Sequence, residues 1–293
     1  MIMKNKESNI AYFGGEPLGV PVLEELKKAG IMPSLILCNP DRPVGRKQVL
    51  TPPPVKQWAL QHDIEVYQPE SIKDEEFKQR MSEVSWDIFI VVAYNKIMPK
   101  WLIDLPVHGT LNIHPSLLPL LRGASPIRST ILQDMSEQCG VTIMQMDEKM
   151  DHGPIIAQET LTINSQEWPM HGNELDTTLA KMGGELLVKT LPKWLSGEIT
   201  PHEQHHATAT YCGRLDRSMG GLTLDPYNLP TGKEAYQILL KIRAYEGFPG
   251  SFFMHEGKRI KIANAQLAED KLCISRIIPE GKNEMNFSQY FSD

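Results

Sequence analysis

The fold of this chain is indicated first by one apolar stretch, Ile88-Phe89-Ile90-Val91-Val92-Ala93. An apolar run without polar alternation is typical of a strand in a parallel sheet that is covered on both faces. Similar runs occupy residues 10–13 and 34–38, and helical patterns at residues 20–29 and 73–83 accompany them. Because strands and helices alternate, the sequence predicts an α/β domain with a doubly wound, mostly parallel, Rossmann-like sheet.

Polar or small residues follow three of the predicted strands, where ligands usually bind in such sheets. They lie in the segments Phe13-Gly14-Gly15, Ala93-Tyr94-Asn95 and Asn112-Ile113-His114 at the strand ends. We therefore expect these positions to converge on one crevice. The glycine pair lacks the G-x-G-x-x-G spacing of dinucleotide-binding loops, which argues against a dinucleotide site.

The second part of the chain has a different pattern. Residues 171–196 have the apolar spacing of a long helix, whereas the chain from Thr208 onward is rich in predicted strands, including a hairpin that turns at Glu256-Gly257. The sequence predicts a catalytic domain over residues 1–200, a linker at 201–207 and a C-terminal β domain over 208–293. The linker's histidines have no standard zinc spacing, so no metal site is expected.

Length and composition agree with a two-domain globular protein of 293 residues. Hydrophobic residues make up 41% and charged residues 23%, and no apolar run reaches the roughly 20 residues that a membrane helix needs. The polar start lacks a signal-peptide core, so we expect a cytoplasmic protein without membrane partners. The four cysteines are far apart and read as reduced thiols.

The charge is unevenly distributed along the chain. The formal net charge of −6 argues against unspecific coating of nucleic acid. From His205 onward, however, 11 basic residues balance 10 acidic ones, whereas the earlier part has 19 basic and 26 acidic residues. This asymmetry permits a nucleic-acid contact by the C-terminal part without requiring one.

The candidate chemistry lies in the segment Leu111-Asn112-Ile113-His114-Pro115. Strand side chains alternate, so Asn112 and His114 are expected on the same side. An amide donor beside an imidazole suits acyl transfer, which requires stabilisation of an oxyanion and movement of protons. An alternating strand at residues 141–146 then leads into an acidic turn with Asp151. We predict that Asn112, His114 and Asp151 are the catalytic residues.

These residues resemble the formyltransferases that use 10-formyltetrahydrofolate. The matching motifs are Asn112-Ile113-His114, Ser116-Leu117-Leu118-Pro119, Arg122-Gly123, Pro126-Ile127, Gly140-Val141-Thr142-Ile143-Met144 and Asp151-His152-Gly153. The resemblance covers essentially the whole chain and implies a small C-terminal barrel of the oligonucleotide-binding type. It also implies 10-formyltetrahydrofolate as co-substrate, bound by Ala93, Tyr94, Asn95, Ile97, Ser116, Leu117, Leu118 and Pro119.

A proline-rich basic segment follows the second predicted strand, and we treat it as a stiffened loop. Its basic residues are Arg42, Arg46, Lys47 and Lys56. A basic loop beside the crevice suits contacts with RNA phosphates. An insertion here is typical of the family members that act on methionyl-tRNA. The resemblance thus implies initiator methionyl-tRNA as the acceptor, bound by these four residues and the C-terminal domain of a monomer.

Alternatives remain open at this stage. One is N-formylation of a small amine, such as an amino sugar nucleotide, and another is a folate- or RNA-binding relative that has lost catalysis. The chain departs from the family pattern at Asn95, Leu120 and Lys149. For Asp147 we favour a turn-capping role over a catalytic one.

Overall fold

The structure is a computed structural model that describes residues 8–45 and 47–291. Its strands are β1 (Ile10–Gly14), β2 (Leu35–Leu37), β3 (Arg42–Val44), β4 (Val49–Thr51), β5 (Glu65–Tyr67), β6 (Ile88–Val92), β7 (Thr110–His114), β8 (Arg122–Gly123), β9 (Gly140–Gln145), β10 (Ile155–Thr160), β11 (Tyr211–Cys212), β12 (Phe252–His255), β13 (Lys258–Ala268), β14 (Lys271–Pro279) and β15 (Met285–Asn286).

The helices include one long element and several short ones. They are α1 (Gly19–Lys28), α2 (Pro54–Gln61), α3 (Glu75–Ser82), α4 (Lys100–Ile103), α5 (Pro126–Leu132), α6 (Gly172–Leu195), α7 (Gly232–Ala244) and α8 (Phe287–Tyr290). Three short 3-10 turns add to these, at Ser136–Gln138, His206–Thr208 and Arg217–Gly220.

By packing, the described chain divides into two compact units. Unit 1 contains the described residues up to Arg122 together with Gly140–Thr160 and Thr177–Thr210. Unit 2 contains Gly123–Cys139, Leu161–Asp176 and the described residues from Tyr211 onward. The units interleave along the sequence, and the domain limits given above stay a prediction.

A seven-stranded sheet forms the centre of unit 1, in the order β10-β9-β7-β6-β1-β2-β5. The five strands from β7 to β5 are parallel, whereas β9 and β10 join antiparallel at the other edge. Strands β1, β2 and β6 are buried along their whole length, as their apolar sequences predict. The predicted Rossmann-like, mostly parallel sheet is confirmed.

Two adjacent glycines allow helix α6 to pack closely in unit 1. A Cβ atom added at Gly183 would lie 2.6 Å from Cγ2 of Ile113, on the strand that carries Asn112 and His114. A Cβ added at Gly184 would lie 3.0 Å from Cα of Val22 in α1. Glycine is unfavourable inside a helix, so its presence here reflects the close approach of these elements.

Unit 2 contains a four-stranded antiparallel sheet in the order β12-β13-β14-β15. One face of helix α7 packs on this sheet, and Ala235, Leu239, Phe253, Ile260 and Leu272 form its core. The hairpin between β12 and β13 turns at Glu256 and Gly257, both of which have positive φ angles. The predicted small C-terminal β domain is confirmed.

The basic segment is more ordered than the loop that we expected from its sequence. Strands β3 and β4 pair as an antiparallel hairpin, here called the basic hairpin, with Gly45 at φ +73° in its turn. Helix α2 then begins at Pro54. The β-branched residues Val44 and Val49 favour an extended backbone. The five prolines nearby had led us to predict a loop instead.

No helix within residues 8–45 and 47–291 has both the length and the apolar character needed to cross a membrane.

We predict that Gly183→Ala lowers the free energy of unfolding by up to about 2 kcal/mol. Alanine improves helix propensity by about 1 kcal/mol, but overpacking against the buried Ile113 typically costs about 1–3 kcal/mol. Urea denaturation measures the difference.

Gly213→Ala is the matched control, because a Cβ added at Gly213 meets no atom within 4 Å. It should change the unfolding free energy by less than about 0.5 kcal/mol. Equal stability of both variants would show that α6 does not need the close contact.

Candidate active site

The three predicted catalytic side chains meet at the carboxyl end of β7. Asn112 Nδ2 lies 3.5 Å from Asp151 Oδ1, and His114 Nδ1 lies 3.7 Å from the same oxygen. Both separations exceed the usual N–H···O distance of about 2.9 Å. The side chains of His114 and Asp151 are only 5% and 14% exposed, so they interact in a largely dehydrated setting.

The orientation of the His114 ring is determined by its second nitrogen. His114 Nε2 lies 3.0 Å from the backbone carbonyl oxygen of Leu121. A carbonyl can only accept, so Nε2 carries the proton and, in the neutral ring, Nδ1 keeps the lone pair. Leu121 has a left-handed backbone, with φ +56°, which is uncommon for a non-glycine residue. Nδ1 is thereby directed towards Asp151.

Asp151 itself lies in a tight turn over residues 147–153. Its φ angle is +50°, again in the left-handed region. A Cβ added at Gly153 would lie 2.0 Å from the carbonyl oxygen of Gln145, so only glycine fits where the turn rejoins the sheet. The Asp147 carboxylate accepts from the backbone N–H of Lys149 at 2.8 Å, a turn-capping contact.

A buried arginine lies behind this turn. Arg122 is 1% exposed, and its Nε and Nη2 both donate to Gln204 Oε1, at 3.1 and 2.6 Å. Gln204 Nε2 donates in turn to the carbonyl oxygens of Asp151 and Gly153, at 2.9 and 2.7 Å. The backbone that carries the predicted catalytic carboxylate is thus hydrogen-bonded to a residue more than 50 positions away.

Two histidines extend this network. The rings of His152 and His206 stack with centroids 4.0 Å apart and an angle of 7°. His206 Nδ1 accepts a hydrogen bond from Arg122 Nη2 at 2.8 Å, while His152 Nδ1 lies 2.6 Å from Asp147 Oδ2. Loss of hydration, followed by the charges of His152 and Arg122, lowers the pKa of His206.

The first predicted folate segment follows β6. Ala93 has φ +48°, Asn95 donates to Glu16 Oε1 at 2.5 Å, and Ile97 is exposed. The Tyr94 ring packs edge-on against Phe13, and its hydroxyl is buried without a hydrogen-bond partner among the described residues. Burial raises the pKa of Tyr94, so the hydroxyl stays a donor. An orphan buried donor at this edge fits a polar ligand.

The second predicted folate segment is folded back onto the sheet. Ser116 and Leu118 are buried, and Ser116 Oγ donates to the carbonyl oxygen of Leu120 at 2.6 Å. Thr142 Oγ1 receives the backbone N–H of Leu118 at 3.1 Å and donates to the Ser116 carbonyl at 2.6 Å. Leu117 and Pro119 are half-buried. The segment shapes the loop that presents the Leu121 carbonyl to His114.

The predicted tRNA-binding residues divide into two kinds. Arg42 and Lys47 are exposed on the basic hairpin, whereas Arg46 lies outside the described residues. Lys56 Nζ forms an ion pair with Asp41 at 2.8 Å and a hydrogen bond with Gln68 Oε1 at 2.7 Å. Lys56 therefore contacts Asp41 at the start of the basic hairpin, so its charge is already paired within the protein.

Sequence reasoning missed three contributors to the site. The Leu121 carbonyl and Gln204 gave no local signal, because their roles depend on distant contacts. Arg122 belongs to a motif, and a charged residue between apolar neighbours could have suggested a buried partner. Within the described residues, no group of three or more histidine, cysteine or acidic side chains could hold a metal ion.

We predict that acid destabilises the protein partly through His206. Its folded-state pKa is lowered, so below about pH 6.5 the unfolded chain binds a proton that the folded chain does not. Stability is therefore retained above that pH and lost as the pH falls. In His206→Asn, urea midpoints measured from pH 7.5 to pH 5 should decline less steeply than in the original protein. Parallel declines would contradict the assignment.

The comparisons with known proteins agree with this geometry. A sequence model described as formyl transferase matches residues 8–191, and one described as formyl transferase, C-terminal domain, matches residues 232–272. A methionyl-tRNA formyltransferase from Caldicellulosiruptor saccharolyticus is 36% identical over 263 residues, which are 89% of this chain and 80% of that protein. One from Halorhodospira halophila is 39% identical over 83% of this chain and 75% of its own length.

Among solved structures, a 4-N formyltransferase from Francisella tularensis aligns with a TM-score of 0.65. It covers 90% of this chain and 99% of its own, with 22% identity, and at that identity the likeness concerns the fold alone. The match over most of the sequence decides the relationship: this chain belongs to the formyl transferase family, whose enzymes use formyl-tetrahydrofolate.

Proposed function

We propose that this enzyme transfers the formyl group of 10-formyltetrahydrofolate to the α-amino group of methionine on initiator tRNA. The observation that carries the proposal is the convergence of Asn112, His114 and Asp151 at one strand end. We infer the acceptor from relatives at 36–39% identity, which are named methionyl-tRNA formyltransferases.

Asn112 provides the oxyanion contact in this mechanism. When the amine attacks the formyl carbon, negative charge develops on the formyl oxygen. The Asn112 amide donates a hydrogen bond to that oxygen, and a positioned donor of this kind typically contributes about 3–4 kcal/mol. Its 3.5 Å contact with Asp151 is long enough to be exchanged for a substrate contact at little cost.

His114 moves the proton. Its Nδ1 lone pair takes a proton from the attacking amine and returns it to N10 as the leaving group departs, so the proton count balances. The hydrogen bond from Nε2 to the Leu121 carbonyl keeps the ring in the required tautomer. Asp151, 3.7 Å from Nδ1, stabilises the ring while it carries the extra proton.

The transfer is direct in this proposal. One bond forms between the amine nitrogen and the formyl carbon, and the bond from that carbon to N10 breaks. No enzyme nucleophile takes part, because the chemistry needs only a donor and a proton carrier, both of which meet here.

We propose that the folate-binding residues predicted from the sequence do bind folate, some through their side chains and others through their backbone. Tyr94 offers its orphan hydroxyl, and Ala93, Asn95 and Ile97 line the same strand end. Ser116 and Leu118 are buried, so Leu117, Pro119 and the backbone of this segment make the contacts.

For tRNA we propose the basic hairpin and the C-terminal domain. Arg42 and Lys47 supply positive charge for phosphates. Three apolar side chains of the hairpin are also largely exposed: Val44 at 56%, Val49 at 58% and Leu50 at 64%. Exposed apolar surface beside basic side chains suits contact with unpaired, unstacked bases at the end of an RNA stem. We also propose that the enzyme acts as a monomer in the cytoplasm, where charged initiator tRNA is used.

We predict that His114→Ala lowers kcat by about 10²–10⁴-fold and that Asn112→Ala lowers it by about 10²–10³-fold. The measurement is formation of formyl-methionyl-tRNA from 10-formyltetrahydrofolate and methionyl initiator tRNA. Folate binding, followed by fluorescence quenching, should persist in both variants.

The same assay tests the alternatives. If the original protein forms no product but binds folate, an amino sugar nucleotide is tried as acceptor. Turnover with that amine would replace the proposed acceptor, and no turnover with either would favour a binding-only relative.

We predict that Arg42→Ala raises the KM for methionyl-tRNA and leaves folate binding unchanged. Loss of one phosphate contact should reduce the magnitude of the salt slope of tRNA binding by about 0.7–0.9. Filter binding at several salt concentrations measures that slope.

Lys193→Ala serves as the control, because Lys193 is an exposed lysine at the end of α6. It should leave the slope unchanged. An equal loss of folate and tRNA binding in Arg42→Ala would argue for a general structural defect.

A further inference from the structure

We propose that Gln204 is a positioning residue that holds the Asp151 carboxylate in register with His114. The inference rests on the proposed role of Asp151 and assigns catalytic importance to the segment that the sequence presented as a linker. Gln204 is 4% exposed, although its neighbours His205 and His206 are exposed.

The amide of Gln204 can adopt only one orientation. Arg122 donates through both Nε and Nη2, so the atom that faces it must be the amide oxygen. The carbonyls of Asp151 and Gly153 accept, so the atom that faces them must be the amide nitrogen. The two hydrogen atoms of the Gln204 –NH₂ group therefore bond to the two carbonyls that flank His152, one to each.

This contact acts on a strained part of the backbone. Asp151 has φ +50°, a conformation that is uncommon for a non-glycine residue and that persists only when its surroundings hold it. Gln204 donates hydrogen bonds to the backbone carbonyls of Asp151 and Gly153. If these bonds are lost, the turn can relax and move the carboxylate away from Nδ1 of His114.

The chain is anchored on both sides of Gln204. His202 pairs with Ile155 through two backbone hydrogen bonds of 2.7 and 2.9 Å, at the edge of the central sheet. Eight residues on, Thr210 Oγ1 accepts from the Leu121 N–H at 2.8 Å, beside the carbonyl that orients His114. Residues 202–210 thus connect the Asp151 turn to the loop that orients the imidazole.

The decisive variant is Gln204→Glu. A carboxylate keeps an acceptor for Arg122, so the buried guanidinium stays paired. Its second oxygen, however, replaces the –NH₂ donor and faces the carbonyl oxygens of Asp151 and Gly153. The change therefore removes the positioning bonds while it keeps an acceptor for Arg122, whereas Gln204→Ala would also leave Arg122 without this acceptor.

We expect Gln204→Glu to lower kcat on the order of 10²-fold, since a displacement of about 1 Å in a catalytic group can have that effect. KM for folate and for methionyl-tRNA should change less than about twofold, because the Gln204 side chain is buried and its amide is already bonded to Arg122, Asp151 and Gly153. Gln57→Glu is the matched control, since the Gln57 amide also donates to a backbone carbonyl, that of Pro52 at 3.1 Å, on an exposed surface. It should keep the original kcat.

A double-mutant cycle distinguishes positioning from general support. In an Asp151→Asn background, Gln204→Glu should cost less than about threefold, because the carboxylate that it positions is already absent. Multiplicative losses, or a Gln204→Glu variant as active as the original protein, would overturn the inference. An Asp151→Asn variant with full activity would overturn it as well.

Hydrogen exchange of a peptide that covers residues 146–154 gives a readout independent of turnover. Exchange should be faster in Gln204→Glu than in the original protein and unchanged in Gln57→Glu. Unchanged exchange in Gln204→Glu would refute the positioning role even if the acceptor proved to be a different amine. Faster exchange with no formyl transfer by the original protein would support the positioning and reject the proposed reaction.

Discussion

The hydrogen bond between His114 Nε2 and the Leu121 carbonyl is the contact on which the rest of the site depends. It assigns the proton to Nε2 and leaves the Nδ1 lone pair facing Asp151. The contact requires a left-handed backbone at Leu121, which the turns around Ser116 and Leu120 maintain. The left-handed backbone of Leu121 thus places its carbonyl oxygen where it fixes the orientation of the His114 ring.

The second constraint is the burial of Arg122. A guanidinium removed from water must have hydrogen-bond partners, and Gln204 and His206 supply part of them. Because Gln204 also contacts the Asp151 turn, the requirement to satisfy a buried charge and the requirement to place a carboxylate are met by the same side chain. This coupling gives the buried Arg122 of the Arg-Gly motif a structural role beside the Asp151 turn.

Much of the architecture followed from local patterns. The apolar runs at β1 and β6 predicted buried parallel strands, and the spacing along α6 predicted a long helix, because periodicity reports which faces are buried. The basic hairpin was not predicted, because prolines at its base outweighed the short β-branched pattern. The inward direction of Ser116 was also missed, since it depends on a hydrogen bond to the carbonyl of Leu120.

Residue types and their spacing alone were enough to specify the class of sheet, the strand that carries Asn112 and His114, and the motif that relates the chain to formyl transferases. These features are encoded within short windows, by residue type and period. Three properties emerge only in the folded chain: the nitrogen of His114 that faces Asp151, the side chains of the predicted folate segments that turn inward, and the hydrogen bonds from Gln204 to the Asp151 turn. Those properties arise from hydrogen bonds between residues up to 53 positions apart, whose partners no local pattern specifies.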